Sequence, residues 1–176
     1  QPANATAQAP DILLVDGKEH ALLANPLDVW FRENPDADLK NSVDDETICF
    51  SSGNWRGYVA TFAIEDAHLI LRKIEVPGCG DRSGGDALPT IFEGKKEVSA
   101  DWFSGILAVP TGKRTAYVHL GYGSLYSDYR LFRIEAGRVV AETKMDSEQY
   151  ARYRERQFVA HKQTAAYVQS LAETMK

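Results

Sequence analysis

Residues 57–74, GYVATFAIEDAHLILRKI, and residues 129–144, YRLFRIEAGRVVAETK, are one pattern written twice. Ile64-Glu65-Asp66-Ala67-His68-Leu69-Ile70 aligns with Ile134-Glu135-Ala136-Gly137-Arg138-Val139-Val140. Apolar and polar residues alternate with period two on both sides of each acidic turn, which is the pattern of a half-buried antiparallel hairpin rather than of a strand–helix–strand unit. The strand-to-helix turns that cradle phosphates or present a nucleophile need the other topology. Neither copy supplies one, so function is to be sought in the loops that flank them.

At 176 residues with a formal net charge of −5, the chain is sized for one domain with a single core and needs no cofactor to fold. No apolar run approaches the ~20 residues of a membrane-spanning helix. The first ten residues, QPANATAQAP, carry neither charge nor periodicity. They read as a tail ahead of one globular domain over residues 11–176. Such a tail is what a removed secretory signal or lipoprotein leader leaves behind, and a truncated chain would look the same. Export to the periplasm or beyond is the expectation. Cys49 and Cys79 fit one disulfide in an oxidising compartment, the glycines beside Cys79 letting its loop reach back to a strand, or else two separate thiols.

Alternation and turn residues predict an α+β fold: an antiparallel sheet of about seven to nine strands, a short N-terminal helix, and a long C-terminal helix packed on the sheet. Asp16-Gly17 signals a first hairpin. Asn25 and Pro26 open a helix whose apolar stripe is Leu27, Trp30 and Phe31, ending near Asn34. Strands are predicted at 47–51, 57–65, 68–76, 90–92, 105–109 and 116–120, the last two joined by a turn at Thr111-Gly112-Lys113. Asp146 and Gln149 form a capping box. Beyond it, Phe158, His161, Ala165, Val168, Leu171, Ala172 and Met175 recur at helical spacing and should lie across the sheet.

Thr111-Gly112-Lys113-Arg114 lacks the leading glycine and the magnesium-binding hydroxyl of a phosphate loop, and reads as a turn. The histidines are scattered, without the spacing of a helical zinc site, so no metal is assigned. Cys79 beside Arg82 could hold a lowered thiol pKa, but no family-type sequence surrounds it, and a disulfide or inert thiol is the preferred reading.

Three loops, residues 33–46, 77–89 and 121–128, hold charge, glycine and exposed aromatics that a scaffold does not require. Residues 33–46, ENPDADLKNSVDDE, concentrate Asp36, Asp38, Asp44, Asp45 and Glu46 with Glu33 against Lys40 alone, leaving the rest of the chain nearly neutral. This is either a solvated loop or a surface that steers a basic protein partner; Lys40 interrupts the Asp36-Asp38 spacing of a calcium loop. Residues 117–132, YVHLGYGSLYSDYRLF, place tyrosines around glycine and serine, a composition suited to binding surfaces. Tyr117 is expected in the core, and Tyr122 and Tyr126, with Asp128 beside them, at the surface. The acidic balance and the lack of a basic stripe argue against nucleic acid.

Trp55-Arg56-Gly57-Tyr58-Val59-Ala60-Thr61 and Asp101-Trp102-Phe103-Ser104-Gly105 resemble segments of a family of small, largely uncharacterised bacterial proteins. The resemblance covers roughly residues 47–140, implies a bacterial source, and brings no catalytic residue with it. The chain accordingly reads as a non-catalytic binding protein of the bacterial envelope, such as an immunity protein or an inhibitor of a secreted toxin or hydrolase. The alternatives are a small hydrolase assembled across the sheet from His119, Asp128 and Tyr126, and a structural envelope component. Titration of thiols in unfolded, unreduced protein separates the two readings of the cysteines: two reactive thiols per chain exclude the bridge.

Overall fold

The computed structural model describes residues 8–37, 39, 51, 53–78, 84–118 and 122–164. In chain order the elements are β1 (Asp11–Val15), β2 (Lys18–Leu22), α1 (Pro26–Glu33), β3 (Val59–Glu65), β4 (His68–Val76), β5 (Gly85–Asp86) and α2 (Leu88–Ile91). There follow β6 (Val98–Ser99), β7 (Gly105–Pro110), β8 (Arg114–Ala116), β9 (Leu125–Tyr126), β10 (Asp128–Glu135), β11 (Arg138–Asp146) and α3 (Ser147–Lys162). The expectations for Asp38, Asp44, Asp45, Glu46, Cys49, Cys79 and His119, for most of the strand at 47–51, and for the helical stripe from Ala165 onward lie outside the described residues.

Both copies of the repeated pattern are hairpins, β3–β4 and β10–β11. All four turn residues, Asp66, Ala67, Ala136 and Gly137, have positive φ, the backbone that matches a two-residue turn to the twist of its strands. Each hairpin also carries a register shift a few residues from its turn, after Phe62↔Leu71 in one and after Ile134↔Val139 in the other. The copies meet at their turns: Leu69 N–H donates to Gly137 O at 2.8 Å and Val139 N–H to Ala67 O at 2.9 Å. Under the alignment of the repeat these two bonds exchange, so the hairpins are related by a local pseudo-twofold axis.

Around this pair the sheet runs β2-β1-β3-β4-β11-β10-β7, with β5 and β6 sharing the edge of β4 that faces β11. Leu23 N–H donates to Ala108 O at 2.9 Å, tying the end of β2 to β7 and curling the sheet until its two ends meet. The concave side holds Leu13, Val15, Phe62, Leu69, Leu71, Ile74, Leu107, Val109, Phe132 and Ile134 in one buried cluster. Trp30, Phe92 and Trp102 pack at its margin, where Trp102 Nε1 donates to Pro26 O at 3.1 Å and holds the start of α1.

The sheet is mixed, not purely antiparallel. β1 lies parallel to β3 through Ile12↔Thr61, Leu13↔Phe62 and Leu14↔Ala63. The cause is a charged residue at the head of an otherwise apolar strand. Asp11 is fully buried and its Oδ1 accepts from Arg56 Nη1 and from Ala60 N–H, both at 2.9 Å. The carboxylate thereby fastens the start of β1 to the start of β3. Arg56 also donates to Ala9 O at 2.9 Å, and Ala9 N–H donates to Gly53 O at 2.6 Å. The last residues of the expected tail are therefore held against the domain.

Other expectations change for local reasons. Residues 90–92 are not a strand: α2 starts at Leu88 with Pro89 in its first turn, and Asp86 Oδ1 accepts from Leu88 N–H at 3.0 Å. Residues 111–113 are not a hairpin turn between neighbours. Thr111 N–H donates to Asp128 O and Ser127 N–H to Lys113 O, each at 2.9 Å, so the chain bends while its pairing passes from β10 to β9. The capping box is present, with Asp146 accepting from Gln149 N–H. Only Tyr150 of α3 is buried, and Phe158 and His161 are exposed rather than laid on the sheet.

Burial dominates the Asp11 carboxyl and pushes it up to about 6, against the opposing pull of Arg56 and of the Ala60 N–H. Its Oδ2 has no hydrogen-bond partner among the described residues. A folded-state pKa above the unfolded value of 3.8 means that the native state holds the proton more tightly. This contribution to stability is whole below about pH 4 and lost as pH rises through about 6, with a size on the order of 3 kcal/mol. Urea unfolding across that range should show the loss in the native chain, and the profile of Asp11→Asn should lack it.

Candidate functional site

The convex side of β7 and β10 carries a second, smaller core. Ala108, Tyr129, Leu131 and Tyr150 are buried there, with Tyr126, Met145 and Tyr153 packed around them. Alternation along β10 sends Phe132 and Ile134 to the concave cluster while Tyr129 and Leu131 serve the convex one. The Tyr129 and Tyr150 rings stack at 3.8 Å between centroids, and Tyr153 continues the row at 6.2 Å. Tyr126 meets Tyr129 edge-on at 6.1 Å and donates its backbone N–H to the Tyr129 hydroxyl at 2.8 Å. Through these rings α3 stands on the sheet.

Each flank of α3 is a groove. On one side a cleft of about 540 Å³ runs between the helix and the β8–β9 hairpin, lined by Leu125, Tyr129, Tyr150, Ala151, Arg154 and Phe158 among others. Leu125 is 43% and Phe158 55% exposed, unusual for residues of their size. Val159 follows on the helix, and Tyr117 and Val118 continue from β8, all exposed. Burial raises the pKa values of Tyr129 and Tyr150 above the ordinary phenol value, with the Arg154 charge opposing it. Both rings stay neutral at physiological pH and serve as apolar floor. The chemistry of this cleft is contact: aromatic and aliphatic surface rimmed by Glu148, Arg154 and Glu155.

The other flank opens on a polar groove of about 750 Å³ lined by Asp16, Lys18, His20, Asp128, Arg130 and Lys144 among others. Arg130 is occupied there by Asp16 at 2.9 Å and Glu142 at 2.8 Å, and Asp128 accepts from Ser127 Oγ at 2.6 Å.

The sequence-chosen residues are dispersed. Asp128 is exposed and lines the polar groove, whereas Tyr126 packs on the Tyr129 side, so the two do not converge on one pocket. Tyr122 is half-buried, not at the surface: its hydroxyl donates to Asn25 Oδ1 at 2.7 Å and accepts from Arg56 Nη2 at 3.4 Å, beside Asp28, which accepts from Tyr58. Asn25 spends its side chain on that bond and does not cap α1. Tyr117 is 51% exposed instead of core, with the Arg114 guanidinium over its ring at 5.1 Å. Asp36 is exposed. Sequence reasoning missed the stacked floor. The signal available for it was Tyr150-x-x-Tyr153 just inside the capping box, opposite Tyr126 and Tyr129.

No family model, curated protein or solved structure matches the chain. Among the described residues no helix is long and apolar enough to cross a membrane.

Because Tyr150 is the buried residue of α3, Tyr150→Ala should loosen the helix selectively. Amide exchange in Ser147–Lys162 should accelerate by orders of magnitude while β3 and β4 keep their protection. Equal acceleration everywhere would mean that α3 belongs to the global folding unit.

Proposed function

We propose that this protein is a non-catalytic binding protein that grips a protein partner through the cleft between α3 and the β8–β9 hairpin. The carrying observation is contiguous exposed apolar surface, Leu125 and Phe158 facing each other across a stacked tyrosine floor. Surface of this kind is costly in water at roughly 25 cal/mol per Å², and contiguous patches rimmed by polar groups mark interaction sites. A partner's leucine or aromatic side chain entering the cleft would remove both faces from water at once. Rigid tyrosines and a central apolar pocket are the usual anchors of such contacts.

The place proposed for it is the bacterial envelope, as an immunity protein or as an inhibitor of a secreted toxin or hydrolase. The two cysteines and the resemblance to small bacterial proteins support that reading. The acidic segment 33–46 adds a second means of recognition, steering a basic partner before the cleft engages.

A catalytic reading finds less support. Asp11, the carboxyl with the most displaced pKa, is sealed from solvent and committed to Arg56 and Ala60.

A toxin-like protein encoded in the neighbouring reading frame provides the partner for the decisive test. Co-purification with it should survive high salt and be lost in Leu125→Asp/Phe158→Asp, both positions being exposed so that folding is kept. Neutralising Asp44, Asp45 and Glu46 should slow association without abolishing capture. A stable oligomer in light scattering that the cleft variant dissolves would instead assign the cleft to self-association and the protein to the envelope's structural components.

A further inference from the structure

Among the described residues, most of β11 is paired along one edge only. On one edge it pairs with β10 from Asp146 back to Arg138. On the other it meets β4 at Arg138↔His68 alone, and beyond Val139 no strand pairs with it among the described residues. Val140, Ala141, Glu142, Thr143 and Lys144 are exposed in succession. In a strand packed on one face alternate residues would be buried. The register shift of the hairpin falls beside Val140, so the stretch from Ala141 to Met145 is regular, and its outer backbone groups are available to a further strand.

The same stretch forms one wall of a groove. Thr143, Lys144 and Met145 face Gln149, Arg152 and Arg156 of α3 across a space of about 340 Å³, on the flank of the helix away from the apolar cleft. Lys144 and Arg156 make no ion pair among the described residues, and the partner of Arg152, Glu148 at 3.4 Å, is itself 77% exposed. The nearby carboxylates are engaged elsewhere, Glu142 with Arg130 and Asp146 in the cap of α3. Arg152 and Arg156 of α3 therefore line a groove beside a strand edge that has no strand partner among the described residues, in a chain whose net charge is −5. Such an excess runs against the charge of the whole molecule.

We propose that the outer edge of β11, with Arg152 and Arg156, docks an extended acidic segment of a protein partner by strand addition. Backbone pairing along Ala141–Met145 supplies affinity that is indifferent to side chains, and the cations select carboxylates on one face of the added strand. The spacing agrees. Alternate residues of a strand repeat at roughly 6.7 Å, and Arg152 and Arg156 are one turn apart, a rise of about 6 Å. Carboxylates at every second position can therefore meet successive arginines. A backbone that must pair in a ladder also distinguishes this occupant from nucleic acid, which could satisfy the cations but not the edge.

The test is a titration of isotope-labelled full-length protein with a capped peptide of alternating glutamate and valine or threonine. Amide shifts should concentrate in Ala141–Met145, and binding should weaken with salt. Arg152→Glu/Arg156→Glu, both exposed and placed to leave folding intact, should weaken it by roughly tenfold or more, as should methylation of alternate peptide nitrogens. Arg133→Ser, which removes an exposed cation of β10 away from α3, should leave it unchanged, which separates this site from a response to net charge. Equal binding by the same peptide with glutamine in place of each glutamate, or by the N-methylated peptide, overturns the proposal, as does tighter binding by a single-stranded oligonucleotide of equal charge.

Discussion

The fold turns on a carboxylate taken out of water. Asp11 begins a strand that is otherwise apolar, and its burial is tolerable only because Arg56 and the Ala60 N–H meet it at the head of β3. That junction sets β1 parallel to β3 against the antiparallel preference of hairpin-built sheets. With β1 so placed, β2 reaches the far side of the curl, where Leu23 closes on Ala108. Arg56 also holds Ala9 and touches Tyr122 and the Tyr58 ring, so two segments distant in sequence depend on one guanidinium. Breaking such a pair from one side leaves a buried charge, which costs about 3–5 kcal/mol, far more than keeping it contributes. The pair therefore acts as a specifier of topology more than as a source of stability.

The second organising element is the pseudo-twofold contact of the hairpin turns. The two bonds between Leu69 and Gly137 and between Val139 and Ala67 exist because both turns have the same positive-φ backbone. The symmetry is broken where the segment of Ala100 crosses one turn. A Cβ on Gly137 would lie 2.9 Å from Asp101 Oδ1 and 3.0 Å from the Ala100 carbonyl, a position glycine alone fits. The equivalent residue of the other copy is Ala67. Past the turns the strands β4 and β11 separate: β5 and β6 take the edge of β4, and the edge of β11 is left without a strand partner among the described residues.

What the sequence makes legible is whatever depends on local periodicity. Both hairpins, the Asp16-Gly17 turn, Pro26 at the start of α1 and the Asp146–Gln149 box follow from residues within a few positions of one another. What it hides depends on pairing at long range. The bond from Arg56 to Asp11 spans 45 positions and that from Tyr122 to Asn25 spans 97, and nothing in the spacing of either residue announces its partner. Tyr122 illustrates the point: its glycine-rich surroundings suggest surface, yet its hydroxyl is spent inside. Phe158 is the converse. Its helical spacing suggests core, but α3 meets the sheet through Tyr150 and Tyr153, leaving Phe158 at the rim of the cleft.

These placements bear on the choice between catalysis and binding. An active site needs its displaced titratable groups open to a substrate. Here the strongly displaced groups, Asp11 and Tyr58, lie inside, where their raised pKa values follow first from burial and where their partners are structural. The open features are of another kind: an apolar cleft with neutral tyrosines beneath it and a cationic strand edge behind the same helix. Titratable chemistry is used to fix the scaffold, while apolar contact and fixed charge are displayed at the surface. The proposed binding role would use that division, because surfaces built on apolar contact and fixed charge keep their charge state over a wide range of pH.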